Sequence, residues 1–126
     1  MCHIPLVFWS RFNLGGAGVD TAAGYQNQPQ VGAAIKAAIA NGANRSSIFV
    51  TTKVNPSGRT GTGECTTENT LKLIKADVAQ IGIGQLDLVL QHFPCSTNKG
   101  NQQVWLGLVE ARAAGLTRAI GVRCSF

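Results

Sequence analysis

Asp20 lies at the end of an apolar run, and Tyr25 follows five residues later; Lys53 lies at the end of Phe-Val-Thr-Thr-Lys at 49–53, and His92 at the end of the run 86–92. A tyrosine hydroxyl, which ordinarily titrates near ~10, is a poor proton donor at neutral pH. A neighbouring ammonium stabilises the phenolate and makes donation easier. A carboxylate beside that ammonium keeps the lysine charged and aimed, and a histidine can hydrogen-bond a substrate oxygen. Such a set could protonate a carbonyl oxygen while a hydride reaches the carbon. The hydride has to come from a cofactor, because no side chain supplies one. Singly, each residue has a plainer role: a solvated lysine, a core histidine, an Asp-Thr turn, a surface aromatic. It is their joint placement that argues for one site.

The elements that would position them alternate between two periods. Residues 19–22 read as a short strand carrying Asp20 and leading to Tyr25. Residues 30–41 have Val31, Ala34, Ile35, Ala38 and Ile39 on one helical stripe, with Gly42 as the stop. A β-branched strand follows at 48–54, ending in Thr51-Thr52-Lys53-Val54. The loop 55–63 is rich in Gly, Pro and Ser but spells neither GxxxxGK[ST] nor GxGxxG, so a phosphate cradle is weakly supported there. A helix at 67–80 places Leu71, Ile74, Val78 and Ile81 on one side. The Leu/Val run at 86–92 reads as a strand buried on both faces and ending at His92. A third helix at 103–114 stops at Gly115, and a final strand covers 119–122. Residues 6–12 are assigned to neither state. The order β-α-β-α-β-α-β predicts an α/β fold with parallel strands alternating with helices through right-handed crossovers. Ligand sites in such sheets form at the carboxyl ends of the strands, which aims Asp20, Tyr25, Lys53 and His92 at one rim.

Composition sets the bounds. The 126 residues are 44% hydrophobic and 13% charged, as expected of one globular domain spanning 1–126. Net charge is +5, but the lysines and arginines are scattered without a dense basic cluster, which argues against a nucleic-acid partner and suits a small anionic ligand equally well. The start has no basic segment ahead of its short apolar run and no stretch long enough for a membrane span, so the expected location is cytoplasmic, with no membrane partner. The cysteines Cys2, Cys65, Cys95 and Cys124 lie far apart, without CxxC or Cys/His metal spacing. They read as free thiols of a reducing compartment and hold no metal.

Taken together these motifs resemble the aldo-keto reductase family, whose members are (β/α)8 barrels that reduce aldehydes and ketones with NADPH. The matching pieces are Val-Asp-Thr-Ala-x-x-Tyr at 19–25, Asn27 with Val31-Gly32 behind it, Phe-Val-x-Thr-Lys at 49–53, and Leu-Asp-Leu-Val-Leu-Gln-His-x-Pro at 86–94. Trp105, Glu110, Gly115 and Arg118-Ala-Ile-Gly-Val122 follow in the family's order, so the similarity spans roughly 15–122. The resemblance implies that Tyr25 is the proton donor, Lys53 the residue that makes its phenol acidic, and Asp20 the carboxylate paired with Lys53 and lying near the nicotinamide ribose. It implies that His92 orients and binds the substrate. The expected function is NADP(H)-dependent reduction of an aldehyde or ketone carbonyl. The alternative is a truncated, non-catalytic half-barrel acting as an assembly or regulatory subunit.

The sequence departs from the family in three places. Gln28 stands where members usually have glutamate, which reads as a minor surface change. Arg123-Cys124-Ser125-Phe126 stands where members typically read Ser-Asn-Phe, whose polar pair holds the nicotinamide carboxamide. Finally, a full (β/α)8 TIM barrel takes about 250 residues, so this chain is expected to form an incomplete barrel of roughly its first half to five-eighths. The family's first strand and its glycine-bearing loop are not recognisable in residues 1–15. An incomplete barrel exposes strand edges and barrel-facing apolar side chains. The expectation is marginal stability, self-association through open sheet edges, or origin as a fragment of a longer product.

Overall fold

The computed structural model describes residues 18–123. The strands are β1 (Gly18–Asp20), β2 (Phe49–Val54), β3 (Leu86–Gln91) and β4 (Thr117–Val122), and the α-helices are α1 (Gln28–Ala40), α2 (Thr67–Ile81) and α3 (Asn98–Ala113). Short 3-10 turns occupy Ala23–Tyr25 and Arg45–Ser47. All strand pairs are parallel in the order β1-β2-β3-β4. This is the expected alternation of parallel strands and helices in successive βα units. The unassigned run 6–12 and the departure at 124–126 lie outside the described residues.

Strand alternation decides what faces what. On β2, Val50, Thr52 and Val54 are buried on one side, and Thr51 and Lys53 take the other. The apolar stripes of the helices close over the first face: Val31 and Ile35 from α1, Ile74 and Ile81 from α2, and Val104 and Leu108 from α3 form a core with Val50, Val54 and Val89. Register then sets height along the sheet, with Asp20 beside Thr51 and Lys53 beside Leu90. Backbone bonds carry the ladder one step past the strands: Thr21 N donates to Thr51 O (2.9 Å) and His92 N to Val54 O (2.8 Å). Residues just beyond each strand are therefore held at one rim.

Helix ends follow local chemistry. Pro29 sits in the first turn of α1, where its missing N–H has no helical partner to lose. Thr66 Oγ1 accepts from Asn69 N at the start of α2, and Glu68 lies in that first turn, where a carboxylate suits the helix dipole. Gly82 ends α2 in the left-handed region, with φ 69°. The third helix starts at Asn98, ahead of the expected 103, because Thr97 caps it: its Oγ1 accepts from Gly100 N (3.0 Å). β4 likewise begins at Thr117 rather than 119, since Leu86 N bonds Leu116 O and pulls the chain into register early.

Two sequence readings are corrected. In place of free thiols, Cys65 and Cys95 form a disulfide. They are 30 residues apart in sequence, but the parallel topology brings the loop before α2 and the loop after β3 to the same rim, with Cα atoms 6.5 Å apart. Cysteine usage therefore no longer points to a reducing compartment. Gln28 is not a surface change: it is 1% exposed.

At the opposite end of the sheet Asp87 is buried and fully engaged. Val50 N and Arg45 Nη2 donate to its Oδ2 (2.8 and 2.9 Å), and Arg118 Nη1 lies 3.5 Å from Oδ1. Arg45 also donates to Ile48 O and Gln85 O, lacing β2 to the turn before β3.

The helices approach one another over glycine. A Cβ added to Gly32 on α1 would lie 1.8 Å from the Ile81 carbonyl oxygen at the end of α2. Because the obstacle is backbone, no rotamer change relieves it. Gly32→Ala is predicted to cost about 2–3 kcal/mol or more, at the upper end of what overpacking does, measured as a fall in the urea midpoint; an unchanged midpoint would contradict the close crossing.

Candidate active site

Lys53 projects from the face of β2 away from the helices and is 4% exposed. An ammonium withdrawn from water needs replacement partners, and its three protons find three. Nζ donates to Asp20 Oδ1 (2.5 Å), to Thr21 O (3.2 Å) and to Tyr25 Oη (3.3 Å). Asp20 is the last residue of β1, with a side chain 65% exposed, so the ion pair has one buried and one solvated member. The register that sets β1 beside β2 is what makes this pair.

Tyr25 arrives by a local turn. After β1 the chain makes the 3-10 turn at Ala23–Tyr25, with Tyr25 N donating to Ala22 O (3.0 Å). Gln26 then adopts φ 55°, left-handed for a residue other than glycine, which ends the turn and sends the chain into α1. Thr21 Oγ1 donates to Asn27 Oδ1 (2.8 Å) across this reversal. Tyr25 is 49% exposed: its ring stands at the open rim while its hydroxyl reaches the Lys53 ammonium.

His92 follows β3 directly. Its ring lies edge-on to the Tyr25 ring, with centroids 5.9 Å apart, and stacks on Phe93 at 4.5 Å. It is 5% exposed, and its Nδ1 is buried without a hydrogen-bond partner among the described residues. Burial lowers its pKa from 6.5; the positive charges of Lys53 and Arg123 act in the same direction, and Asp20 opposes them. At neutral pH the imidazole is therefore neutral and keeps one N–H to donate.

All of the sequence-derived candidates, Asp20, Tyr25, Lys53 and His92, thus gather at the carboxyl edge of β1, β2 and β3. The side-chain tips of the first three meet at one ammonium. Among the described residues there is no cluster of three or more His, Cys, Asp or Glu side chains that could hold a metal. Nor is any described helix long and apolar enough to cross a membrane.

Sequence reasoning missed the group behind this site. Thr52, next to Lys53, donates from Oγ1 to Gln28 Oε1 (2.6 Å), and Gln28 Nε2 donates to Asp77 Oδ1 (2.8 Å) and Gln80 Oε1 (3.1 Å). One buried amide so ties β2 to the start of α1 and to α2. A signal existed: Asp77 falls on the buried stripe of α2 between Ile74 and Ile81, where an acid needs a partner. Thr21 was also missed, because its contribution to Lys53 is a backbone oxygen that side-chain type cannot reveal.

The pattern of the Aldo/keto reductase family matches residues 11–125. An aldo-keto reductase of Bombyx mori is 34% identical over 124 residues, covering 92% of this chain and 38% of its own length. The 2,5-diketo-D-gluconic acid reductase B of a Corynebacterium is 32% identical over 104 residues, covering 82% and 34%. A crystal structure of a Bombyx mori aldo-keto reductase in complex with NADP superposes with a TM-score of 0.81 at 31% identity, over 94% of this chain and 39% of that one. The chain therefore spans well under half the length of these relatives.

Burial pushes the Asp77 carboxyl from 3.8 up to about 6, with the Gln28 hydrogen bond acting the other way. Its Oδ2 has no partner among the described residues. Because the folded value stands above the unfolded one, the native state holds this proton more tightly. The associated stability is complete below about 3.8 and is lost as pH rises through about 6. The loss amounts to on the order of 2–3 kcal/mol. Asp77→Asn is predicted to remove this fall and to be the more stable protein at pH 7.5, as read from urea midpoints between pH 4 and 7.5. Parallel pH profiles for the two proteins would show that Asp77 is ionised in the core.

Proposed function

The chain belongs to the aldo/keto reductase family, and we propose that it carries the proton-transfer site of an NADP(H)-dependent oxidoreductase that reduces aldehyde or ketone carbonyls to alcohols. One observation carries the reading: a single buried ammonium, Lys53 Nζ, touches both the Asp20 carboxylate and the Tyr25 hydroxyl. Tyr25 is the proton donor. Its half-exposed position lets a carbonyl oxygen approach, and the ammonium at 3.3 Å stabilises the phenolate left when the proton departs. Asp20 holds that ammonium beside the phenol. The neutral His92 donates a second hydrogen bond to the substrate oxygen and so orients it.

The cofactor reading extends to this chain the NADP named for the Bombyx mori structure. When bound, the nicotinamide supplies the hydride. The donor set fits that end of a dinucleotide: the Asp20 carboxylate is largely open to solvent and can accept from a ribose hydroxyl while its other side holds Lys53. The substrate class of this reading is small carbonyl compounds, whose oxygen can meet the Tyr25 hydroxyl at the open rim. The alternative, a non-catalytic subunit, is disfavoured by the joint retention of Asp20, Tyr25, Lys53 and His92 in contact geometry.

The test compares NADPH consumption with an aromatic aldehyde by the unaltered protein and by Tyr25→Phe. The variant is predicted to lose a factor of about 10²–10⁴, the usual contribution of a positioned acid, while still altering its tryptophan fluorescence when NADPH is added. Equal turnover by both proteins removes Tyr25 from its role. No turnover by the unaltered protein, together with no fluorescence response to NADPH, favours the non-catalytic subunit.

A further inference from the structure

We propose that the Cys65–Cys95 disulfide is a positioning brace for His92, and that a dithiol releases it. The inference rests on the reading of His92 as the donor facing the substrate. Two loops border the site, 55–66 between β2 and α2 and 92–97 between β3 and α3. They are joined three times: Ser57 Oγ donates to Phe93 O (3.0 Å), Ser96 N donates to Gly61 O (3.0 Å), and Cys65 is bonded to Cys95.

The His92 loop is tied down on its other side as well. Asn101 of α3 accepts at Oδ1 from Cys95 N (2.8 Å) and from Gln91 Nε2 (3.1 Å), and its Nδ2 donates to Cys95 O (3.2 Å). Gln91 Nε2 also donates to Phe93 O (3.0 Å). Both neighbours of His92 are thus anchored by polar bonds, whereas the imidazole Nδ1 is buried without a partner among the described residues. The pose of the ring is set by its backbone, by stacking on Phe93 and by the edge contact with Tyr25, and the first two depend on the loop that the disulfide holds.

The first turn of α3 is shaped for the bridge. A Cβ on Gly100 would lie 3.0 Å from the Cβ atoms of both Cys65 and Cys95, so a side chain there would press on the pair. Cys95 is buried and Cys65 partly exposed, which gives a reductant one approach. A thiolate of the dithiol attacks one sulfur of the bridge and the Cys65–Cys95 bond breaks. The second thiol of the reagent then closes on the mixed disulfide. The dithiol is oxidised to its own disulfide, and its two electrons and two protons end on the Cys65 and Cys95 thiols. The released loop admits water to His92, and the burial that keeps its imidazole neutral is lost.

The experiment follows the histidine Cε1–H resonances of the whole chain across pH by NMR, before and after dithiothreitol, with His3→Gln separating the two histidines. The expected result is an upward movement of the His92 midpoint toward the ordinary histidine value near ~6.5 on reduction, with far-UV circular dichroism unchanged. Cys65→Ser should show the raised midpoint without reductant and no further response to it; if that variant does not fold, the reduced and oxidised forms of the unaltered chain decide alone. An identical midpoint in both forms overturns the proposal. So does peptide mapping that finds Cys65 and Cys95 unlinked in the oxidised protein, or loss of the whole fold on reduction, since a brace confined to the rim leaves the sheet standing. The readout needs no turnover. An unmoved His92 therefore leaves the Tyr25 assignment intact, and an inactive enzyme leaves the brace intact.

Discussion

A lysine ammonium taken almost wholly out of water must be resolvated by the protein, and at Lys53 that requirement organises the rim of the sheet. The strand period turns Lys53 away from the helix-covered core, and the parallel register sets β1 alongside so that Asp20 and the Thr21 carbonyl meet its tip. The third proton is left for a group that arrives by a turn. The left-handed Gln26 sends the chain back at the right moment, which puts the Tyr25 hydroxyl there. A charge that would destabilise the fold if unpaired is thereby converted into a fixed electrostatic field at the one phenol of the chain.

The surroundings of this ammonium are braced from two directions. Behind it, Gln28 joins Thr52 to Asp77, so the strand bearing Lys53, the helix following Tyr25 and the helix α2 share one buried amide. Beside it, the loops after β2 and β3 are knitted by hydrogen bonds and the disulfide. A site on loops is less exact than one on strands. Here the elements that carry charge sit at strand ends, and the loop residue His92 is secured by its neighbours.

Much of this is legible in the chain because parallel α/β topology converts sequence order into spatial convergence. Three strand ends with Asp20, Lys53 and His92 have only one rim to share, and the stripes at 31–39 and 71–81 show most of what the helices bury. Val31, Ala34, Ile35 and Ala38 are buried on the first and Ile74 and Ile81 on the second, while Ile39 is exposed and Leu71 and Val78 are only partly buried. What escapes the sequence depends on pairings it does not print. Cys65 and Cys95 look unrelated at a separation of 30 residues, yet they sit on neighbouring loops of the same edge. Gln28 looks like a surface exchange because glutamine is usually exposed, and only the meeting of α1 with Thr52 and Asp77 buries it. Periodicity places the start of α3 late because its first turn, Asn98-Lys99-Gly100, has no apolar stripe; Thr97 begins that helix instead.

The Asp87 cluster at the other end of the sheet carries a wider implication. Five residues of strand at about 3.3 Å each put roughly 16 Å between Asp87 and His92, beyond the range over which substitutions usually influence one another. The arginine-clasped floor and the rim that carries Lys53 are thus separable parts of one sheet. The floor can be weakened or reinforced without disturbing the contacts around Lys53, so sequence drift and deliberate stabilisation both have a place to act that the rim does not feel.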